Sequence, residues 1–316
     1  MFLQKIKNRE SGILVYGITP PKLSTPLEKV AELAQKNIAR IQNLPIDALI
    51  VYDVQDESAR TSEERPFPFQ PAMDPLHYSK QYLSDLNLPK IIYRPAGKYT
   101  HEELKDWFKN LHKNKFYPIL VGIPSPDYVP KISLPEAYQL WSVNQSSSVM
   151  GAIAIPERHV VLKDEDQRIL DKVQSGVSYF VTQCVFNEDY TVKMLQSLKD
   201  TCNKTGEQIP TIIFTLCTCG SIKTLQFIDW LGIHIADEHK IRLQNATDIL
   251  DESLQICLEI AQKLSDYCSA HSIPFGFNIE SVAVRKEEIE ASITLVEKID
   301  EMMKVKVSSL QQVALR

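Results

Sequence analysis

The sequence lacks a basic excess, long apolar runs and the cysteine density of a disulfide-stabilised protein. Its 316 residues carry 35 lysines and arginines against 40 aspartates and glutamates, and this net charge of −5 gives no cationic face for nucleic acid. No apolar run approaches the roughly 18 residues that cross a bilayer, and the charged start MFLQKIKNRE is unlike a secretory leader. Six cysteines are sparse for this length. We therefore expect a cytoplasmic, reduced protein without nucleic-acid or membrane partners.

Two further absences concern metal and nucleotide sites. Cys217 and Cys219 stand in the sequence CTC, but no second cysteine–histidine pair stands at zinc-site spacing. We interpret them as small residues at a strand end and predict no metal site. No GxGxxG follows the first apolar run, which ends GITPPK. That absence disfavours an open, doubly wound sheet, the alternative to a barrel.

What the sequence does contain is a series of apolar runs rich in β-branched residues. Runs of this kind are typical of strands that are buried on both faces of a parallel sheet. The eight runs occupy residues 12–18, 48–53, 90–95, 117–123, 150–156, 179–186, 211–217 and 275–282.

Segments with the apolar spacing of amphipathic helices lie between these runs. Ser24 is able to cap the first of them, and Pro26 suits its first turn. Thr100 and Glu103 form a capping-box pattern in THEELKDW. Eight strand–helix alternations predict an α/β fold, a (β/α)8 TIM barrel that forms a single domain over residues 1–316. A helical insertion is expected at residues 237–272, before the last strand.

One connection is unusually long. Residues 54–73, VQDESARTSEERPFPFQPAM, are polar and rich in proline and follow the second predicted strand. Loops of this length without regular structure are often lids or binding loops. The sequence leaves open whether this one is a lid or a surface excursion.

In a TIM barrel the functional site forms where the strands end. Glu157, His159 and Gln183 follow neighbouring predicted strands, so we expect them at the same rim. An unpaired buried amide costs about 1–3 kcal/mol, so Gln183 must contact either the backbone or a ligand, and the sequence does not decide which. Other strand ends carry Gly17, Tyr52, Asp53, Tyr93, Arg94, Asn278 and Glu280.

These segments resemble a known family. AIPERH followed by KVQSGVSYFVTQCVF is similar to the Tyr-Pro-Glu-x-His and Gly-Ala-x-x-x-x-Thr-Gln-x-x-Phe segments of methylenetetrahydrofolate reductases, whose catalytic domain is a (β/α)8 barrel. YGITPP stands where that family has Phe-Glu-Phe-Phe-Pro-Pro. Through MDPLHY, VGIPSPD, VTQCVFNED and GFNIESVAV the chain is more similar to a flavin-independent, mycobacterial branch. The resemblance implies reduction of 5,10-methylenetetrahydrofolate to 5-methyltetrahydrofolate in one-carbon metabolism and methionine biosynthesis.

Three positions depart from the family pattern. The proton-donating Glu of the first strand falls on Gly17, a flavin-facing Asp falls in VGIPS, and a His that lies against the flavin falls near Tyr93. The joint loss of these contacts implies direct hydride transfer from NADH or NADPH to the folate. The alternatives are a reductase that retains FAD through other residues and a non-catalytic folate-binding barrel.

The resemblance and the chemistry together predict the site residues. Opening the methylene bridge needs a carboxylic acid of raised pKa, and alternation in FGFNIESV predicts that Gly276, Asn278 and Glu280 point inward beside the first strand. We therefore predict Glu280 as the acid, with Glu157 as the alternative. The residues expected to contact the folate are Gln183, Asp53, Tyr93 and Asn278. The residues expected to contact the cofactor or the folate tail are His159, Arg94, Arg60, Lys98 and Arg158. The sequence does not decide between NADH and NADPH, or between a monomer and a homo-oligomer.

Overall fold

Eight parallel strands close into one barrel. A computed structural model describes residues 2–114, 116–123, 125, 127–144 and 148–314. The strands follow one another around the barrel in chain order, and β1 pairs with β8 from Ile13 opposite Gly276 to Gly17 opposite Glu280. The strands are β1 (Ile13–Ile18), β2 (Ala48–Val51), β3 (Lys90–Pro95), β4 (Phe116–Val121), β5 (Gly151–Ala154), β6 (Tyr179–Cys184), β7 (Thr211–Thr218) and β8 (Phe275–Ser281). The predicted (β/α)8 barrel is confirmed.

Helices surround the barrel and connect successive strands. Within the described residues they are α1 (Phe2–Asn8), α2 (Leu27–Ile41), α3 (Pro75–Gln81), α4 (His101–Asn114), α5 (Leu134–Asn144), α6 (Pro156–Leu162), α7 (Glu165–Gln174), α8 (Glu188–Thr205), α9 (Ile222–Trp230), α10 (Asp237–Asn245), α11 (Ile249–Ala270) and α12 (Lys286–Ala314). None of the helices in the described ranges combines the length and the apolarity that a bilayer span requires.

The helical segment predicted before the last strand is present, and its long helix belongs to the outer ring. Helix α11 packs against β7, where the Cys257 thiol donates to the Cys217 carbonyl at 3.3 Å and the Cys219 N–H donates to Ser253 Oγ at 2.6 Å. Helices α9 and α10 precede α11, so they are the addition to the basic strand–helix unit.

The core has an inner and an outer layer because side chains alternate across each strand. On β8, Phe277 and Ile279 join the outer layer between the strands and the helices. The inner layer fills the barrel, and Phe2 of α1 contributes to it with its ring 5.4 Å from that of Tyr117 and 5.5 Å from that of Tyr179. Because both tyrosines lie at the start of their strands, α1 closes the N-terminal end of the barrel.

The long loop after β2 crosses to α9. It contains a short 3-10 turn at Ser58–Arg60 and otherwise little regular structure. The Arg65 guanidinium lies 4.8 Å from the centre of the Phe227 ring and 5.4 Å from that of Trp230. Phe67 packs edge-on against Phe227 at 5.3 Å, and the Trp230 indole donates to the Glu63 carbonyl at 3.1 Å. Since α9 follows β7, the loop links the end of β2 to a helix on the far side of β1 and β8 in the strand order.

Two predicted helix caps have opposite outcomes. At α4 the Thr100 N–H donates to Glu103 Oε2 at 2.7 Å and the Glu103 N–H donates to Thr100 Oγ1 at 3.4 Å, which confirms the capping box. Helix α2 begins at Leu27, and among the described residues no side-chain hydrogen bond caps its first turn. The Ser24 cap is therefore wrong, because Pro26 takes the capping position.

We expect Thr100→Ala to lower the free energy of unfolding by about 1 kcal/mol, since it removes an N-cap hydroxyl. Urea denaturation followed by circular dichroism measures this change. Ser24→Ala is the matched control and should leave the unfolding midpoint where it is. Equal effects of the two substitutions would contradict the assignment of the caps.

Candidate functional site

A cavity of about 1160 Å³ opens at the C-terminal end of the barrel. Its volume exceeds the range of about 300–1,000 Å³ that is common for small-molecule sites. We call the part inside the barrel the inner lobe, lined by Tyr52, Tyr93, Thr182, Gln183, Cys184, Thr215 and Glu280. We call the part that extends over β5 toward helices α5, α6 and α7 the lateral lobe, lined by Leu134, Tyr138, Ile153, Arg158, Arg168 and Lys172.

Glu280 is the central ionisable group of the inner lobe. Its Oε1 accepts a hydrogen bond from the Cys184 thiol at 3.1 Å, and its carboxylate also accepts one from the Tyr52 hydroxyl. Asn278 supports this arrangement, because its Nδ2 donates to Tyr52 Oη at 2.8 Å and to Thr215 Oγ1 at 3.1 Å. Burial raises the pKa of the Glu280 carboxyl, and these hydrogen bonds only partly offset that effect. At a given pH, a larger fraction of the Glu280 carboxyl is therefore protonated than in an exposed glutamate.

Tyr52 fills the space beside Gly17. A Cβ atom at Gly17 would lie 2.7 Å from a ring carbon of Tyr52 and 2.8 Å from its hydroxyl oxygen. No side chain fits at this position while Tyr52 keeps its place. Gly17 is paired with Glu280 in the β1–β8 register, so the carboxylate stands one strand away from the position that lacks one. Asn278 and Glu280 face inward, as the alternation of β8 predicts.

Glu157 is a second carboxylate on the cavity wall. It lies in the first turn of α6, where its carboxylate accepts the backbone N–H groups of Glu157 itself and of His234. Its Oε2 is buried and has no hydrogen-bond partner within the described part of the chain. Burial raises the pKa of Glu157 to about 7. Both predicted acids thus line the same cavity, in different parts of it.

The raised pKa of Glu157 predicts a pH-dependent gain of stability in Glu157→Gln. Since the folded chain binds this proton more tightly than the unfolded chain, the contribution of Glu157 is full below pH 4.5 and is lost as the pH rises through about 7. A pKa difference of one corresponds to about 1.4 kcal/mol of folding free energy, and the partial exposure of Glu157 reduces the energy that its shift would give. We therefore expect the variant to be about 2 kcal/mol more stable than wild type at pH near 8. Urea titrations of the variant and the wild type at pH near 5 and near 8 test this. If the difference in unfolding free energy between the two proteins is the same at both pH values, Glu157 ionises normally.

Arg94 lies behind the barrel wall. Tyr93 points into the inner lobe, so its neighbour Arg94 points outward, where its Nη1 lies 2.8 Å from Asp74 Oδ2. The guanidinium lies between the rings of Tyr99 and Trp107, 4.6 and 4.7 Å from their centres. Arg94 therefore lies outside this cavity with its charge paired and enclosed, and its predicted ligand contact stays a prediction.

Asp53 and Lys98 accompany Arg94 outside the cavity. Asp53 Oδ2 lies 3.6 Å from Arg94 Nη1, and its Oδ1 lies 3.8 Å from Lys98 Nζ. Neither residue is among the described residues that line the cavity. The structure thus places Asp53 and Lys98 beside Arg94 rather than on the cavity wall, and their predicted folate and cofactor contacts stay predictions. The side chain of Arg60, a further predicted cofactor contact, lies outside the described residues.

His159 is also turned away from the cavity. It is buried, its Nε2 lies 3.1 Å from Ser197 Oγ on α8, and its Nδ1 lies 3.5 Å from Asp166 Oδ1 on α7. A helix begins at Pro156, and the turn of that helix carries His159 away from the rim on which Glu157 lies. The structure does not bring His159 to the cavity, and its predicted cofactor contact stays a prediction.

Gln183 combines the two roles between which the sequence did not decide. Its Nε2 donates to the Leu231 carbonyl at 3.1 Å, and the residue also lines the cavity. The pairing of β6 with β7 is irregular between Val181 and Cys184, which brings Gln183 to the wall of the cavity. Of the other predicted folate contacts, Tyr93 lines the cavity with its ring 4.7 Å from that of Tyr52, and Asn278 lies behind Tyr52.

Sequence reasoning missed Cys184 and most of the lateral lobe, and it did not assign a role to Tyr52. Tyr52 stands at a predicted strand end, but only the fold shows that it occupies the space beside Gly17. Tyr138 and Lys172 lie on α5 and α7, whose apolar spacing is that of ordinary surface helices. Nothing in that spacing distinguishes them from solvent-exposed polar residues.

One group of side chains elsewhere has metal-ligating types. Oxygen and nitrogen atoms of Glu188, Glu238 and His239 lie within 4.8 Å of one another. Lys263 Nζ lies 3.1 Å from Glu188 Oε1, and His239 Nδ1 lies 3.1 Å from the Phe186 carbonyl oxygen. The lysine already supplies the positive charge that a metal would bring, so we interpret the group as an ion pair.

Comparisons with known proteins find a solved relative at 41% identity that covers nearly the whole chain. A scan of protein-family models finds no match, and a search of curated proteins finds none either. Among solved structures, an uncharacterized protein from Clostridium thermocellum that binds two copies of 5-methyl-5,6,7,8-tetrahydrofolic acid is 41% identical, with a TM-score of 0.83 over 95% of this chain and 98% of that chain. Two crystal forms of 2,3-dimethylmalate lyase, of the PEP mutase/isocitrate lyase superfamily, are 12% identical over 97% of this chain and 96% and 93% of theirs, with TM-scores of 0.41 and 0.42. By identity and coverage, the chain belongs to the same family as the Clostridium thermocellum protein.

Proposed function

We propose that the protein reduces 5,10-methylenetetrahydrofolate to 5-methyltetrahydrofolate with NADH or NADPH and without a flavin. The observation that carries the proposal is the relative at 41% identity, because its ligand 5-methyltetrahydrofolate is the product of this reaction. The buried acid of the inner lobe supports it, since the reaction needs a proton donor at a site where a reduced pterin is held.

The inner lobe has the chemistry to hold a pterin. The edge-to-face pair of Tyr52 and Tyr93 provides an aromatic wall, with the ring centres 4.7 Å apart. The amide of Gln183 and the hydroxyl of Thr182, which accepts the Thr215 N–H at 3.0 Å, are polar groups on the same lining and suit the donors and acceptors along a pterin edge. A small number of polar groups on a largely apolar wall is the usual composition of a small-molecule site.

The proposed reaction needs one proton and one hydride. Glu280 gives its proton to the nitrogen that leaves as the methylene bridge opens, and the remaining nitrogen forms an iminium with the methylene carbon. NAD(P)H then transfers a hydride to that carbon, which yields the methyl group and NAD(P)⁺. Solvent returns a proton to Glu280. The burial that raises the pKa of Glu280 keeps the acid protonated at a higher pH than an exposed glutamate.

The absence of flavin from the proposal rests on residues of this chain. The end of β4, where methylenetetrahydrofolate reductases carry a flavin-facing carboxylate, has Gly122, and the Gly122 carbonyl accepts a hydrogen bond from Gln55 Nε2 at 3.2 Å. Gln55 belongs to the long loop after β2 and lines the cavity at this point. Tyr93 and Gly17 likewise offer no carboxylate or imidazole to a flavin ring.

Purified protein without visible flavin absorbance is expected to oxidise NADH or NADPH when 5,10-methylenetetrahydrofolate is added, and to form 5-methyltetrahydrofolate. Absorbance at the nicotinamide band and mass spectrometry of the folate measure the two products. A yellow protein, or activity that appears only with added FAD, would establish the flavin-dependent alternative. Tight folate binding without any nicotinamide oxidation would establish a non-catalytic binding protein.

A further inference from the structure

The lateral lobe contains a buried hydroxyl that has no partner. Tyr138 is 3% exposed, it lines the cavity, and its hydroxyl finds no hydrogen-bond partner in the described part of the protein. A buried hydroxyl without a partner destabilises the folded chain by about 1–3 kcal/mol. A polar atom of a bound ligand would remove that penalty, so the lobe is built for a ligand with a polar end.

Cations surround the same lobe. Lys172 Nζ donates to the Ile153 carbonyl at 2.8 Å, and the Arg158 Nε lies 3.3 Å from Oε2 of the fully buried Glu165. Arg168 Nε lies 2.9 Å from Asp164 Oδ2. Each of the three cations retains N–H donors beyond these contacts. With the carboxyl of Glu157 protonated, as its pKa of about 7 allows, three cations minus the carboxylates of Glu165 and Asp164 leave one net positive charge around the lobe.

The charged groups of the lateral lobe are poorly solvated, which favours the binding of an anion there. Burial lowers the pKa of the Lys172 ammonium to about 8, and it raises the pKa of the Glu165 carboxyl. Both changes reflect charges that water stabilises incompletely. An anionic group in the lobe would stabilise the ammonium and the guanidinium groups in water's place.

We propose that the lateral lobe is a carboxylate-binding subsite that holds the glutamate tail of a folate whose pterin lies in the inner lobe. This assignment rests on the proposed function for the identity of the ligand. Glu280 on β8 and Ile153 on β5 are three strand spacings apart, roughly 14 Å along the barrel wall. A folate carries its pterin and its carboxylates at opposite ends of an aryl linker, and the cavity likewise places aromatic and polar groups at one end and cations at the other. The apolar side chains of Leu134 and Ile153, which also line the lateral lobe, suit the aryl ring.

A single carboxylate fits the charge of the lobe better than a nucleotide pyrophosphate. One net positive charge balances one carboxylate, whereas a pyrophosphate would bring two negative charges beside the buried Glu165. The planar guanidinium of Arg158 also matches the two oxygens of a carboxylate. The second carboxylate of the glutamate would remain toward solvent.

The test compares 5-methyltetrahydrofolate with 5-methyltetrahydropteroate, which lacks the glutamate, by calorimetric titration of the wild-type protein. We expect the folate to bind roughly tenfold or more tightly than the pteroate, because a charge-assisted hydrogen bond is lost with the tail. Arg158→Gln should weaken folate binding roughly ten- to a hundredfold, and Tyr138→Phe roughly two- to tenfold, with pteroate binding unchanged in both. Tyr138→Phe removes no hydrogen bond of the described chain, so it should fold as wild type. Lys163→Gln removes an exposed charge of the same sign beside α6, outside the described lining, and should bind both ligands as wild type does.

Other outcomes separate the two proposals. Equal wild-type affinity for folate and pteroate would overturn the tail subsite while leaving the proposed function in place. If Arg158→Gln weakens NADH or NADPH binding and leaves folate binding unchanged, the lobe takes a phosphate and the assignment is wrong. If neither folate nor pteroate binds the wild-type protein, both the subsite and the proposed function fail.

Discussion

Glu280→Gln is expected to lower turnover by about 10²–10⁴-fold while folate affinity stays within a few-fold of wild type. The substitution keeps the size of the side chain and its capacity to accept hydrogen bonds from Tyr52 and Cys184. It replaces the carboxyl group, whose proton opens the methylene bridge, by an amide that is not a proton donor to the leaving nitrogen. Steady-state oxidation of NADH or NADPH measures turnover, and calorimetric titration with 5-methyltetrahydrofolate measures affinity.

Glu157→Gln is the matched control for the acid. Glu157 lines the same cavity and has a pKa raised to about 7, yet it lies in the first turn of α6 rather than beside Gly17. We expect this variant to keep most of its turnover. In the wild type, turnover should fall as the pH rises past the raised pKa of Glu280, since the acid must be protonated. If Glu157→Gln abolishes turnover and Glu280→Gln does not, the acid is Glu157.

Arg94→Met is expected to lower the free energy of unfolding by about 3 kcal/mol without changing the affinity for folate. Arg94 is 5% exposed, and its removal leaves the carboxylates of Asp53 and Asp74 without their buried partner. Removing one partner of a buried ion pair destabilises a protein by about 3–5 kcal/mol. Because Asp74 is partly exposed, we expect the loss for Arg94→Met to lie at the lower end of that range. Urea denaturation gives the stability, and the folate titration gives the affinity.

An exposed ion pair provides the comparison for Arg94. Lys36 Nζ lies 2.7 Å from Glu32 Oε1 on the surface of α2, where water screens the attraction and the pair adds little to stability. Lys36→Met should therefore change the unfolding midpoint much less than Arg94→Met. If Arg94→Met instead keeps its stability and loses affinity for folate or for the nicotinamide nucleotide, Arg94 binds a ligand, as the sequence alone suggested.

The barrel and the inward direction of Glu280 could be predicted because both follow from short-range rules. Eight apolar runs alternate with amphipathic segments, and strand alternation places Asn278 and Glu280 on one face. Closure of the barrel then brings β8 beside β1. None of these predictions requires knowing which residues, far away in the sequence, a side chain contacts in the folded protein. The sequence alone therefore carries enough information for them.

Arg94 and His159 could not be assigned in the same way. The expectation for them came from residue type, because arginine and histidine often bind anions and cofactors. Their actual partners, Asp74 and Ser197, are set by helix packing. The lateral lobe could not be predicted from the sequence for a related reason. It forms only when α5 and α7 pack over β5 and bring Tyr138 and Lys172 together.

The central claim is direct hydride transfer from the nicotinamide to the methylene carbon, and isotope transfer in a single turnover tests it most directly. NADH or NADPH carrying deuterium at the transferred position of C4 is mixed with flavin-free protein and 5,10-methylenetetrahydrofolate, and the product is analysed by mass spectrometry. The account predicts one deuterium in the methyl group of 5-methyltetrahydrofolate. A reduced flavin would exchange the hydrogen on its ring nitrogen with water before passing it on. An unlabelled methyl group, with the deuterium released to solvent, would contradict the account.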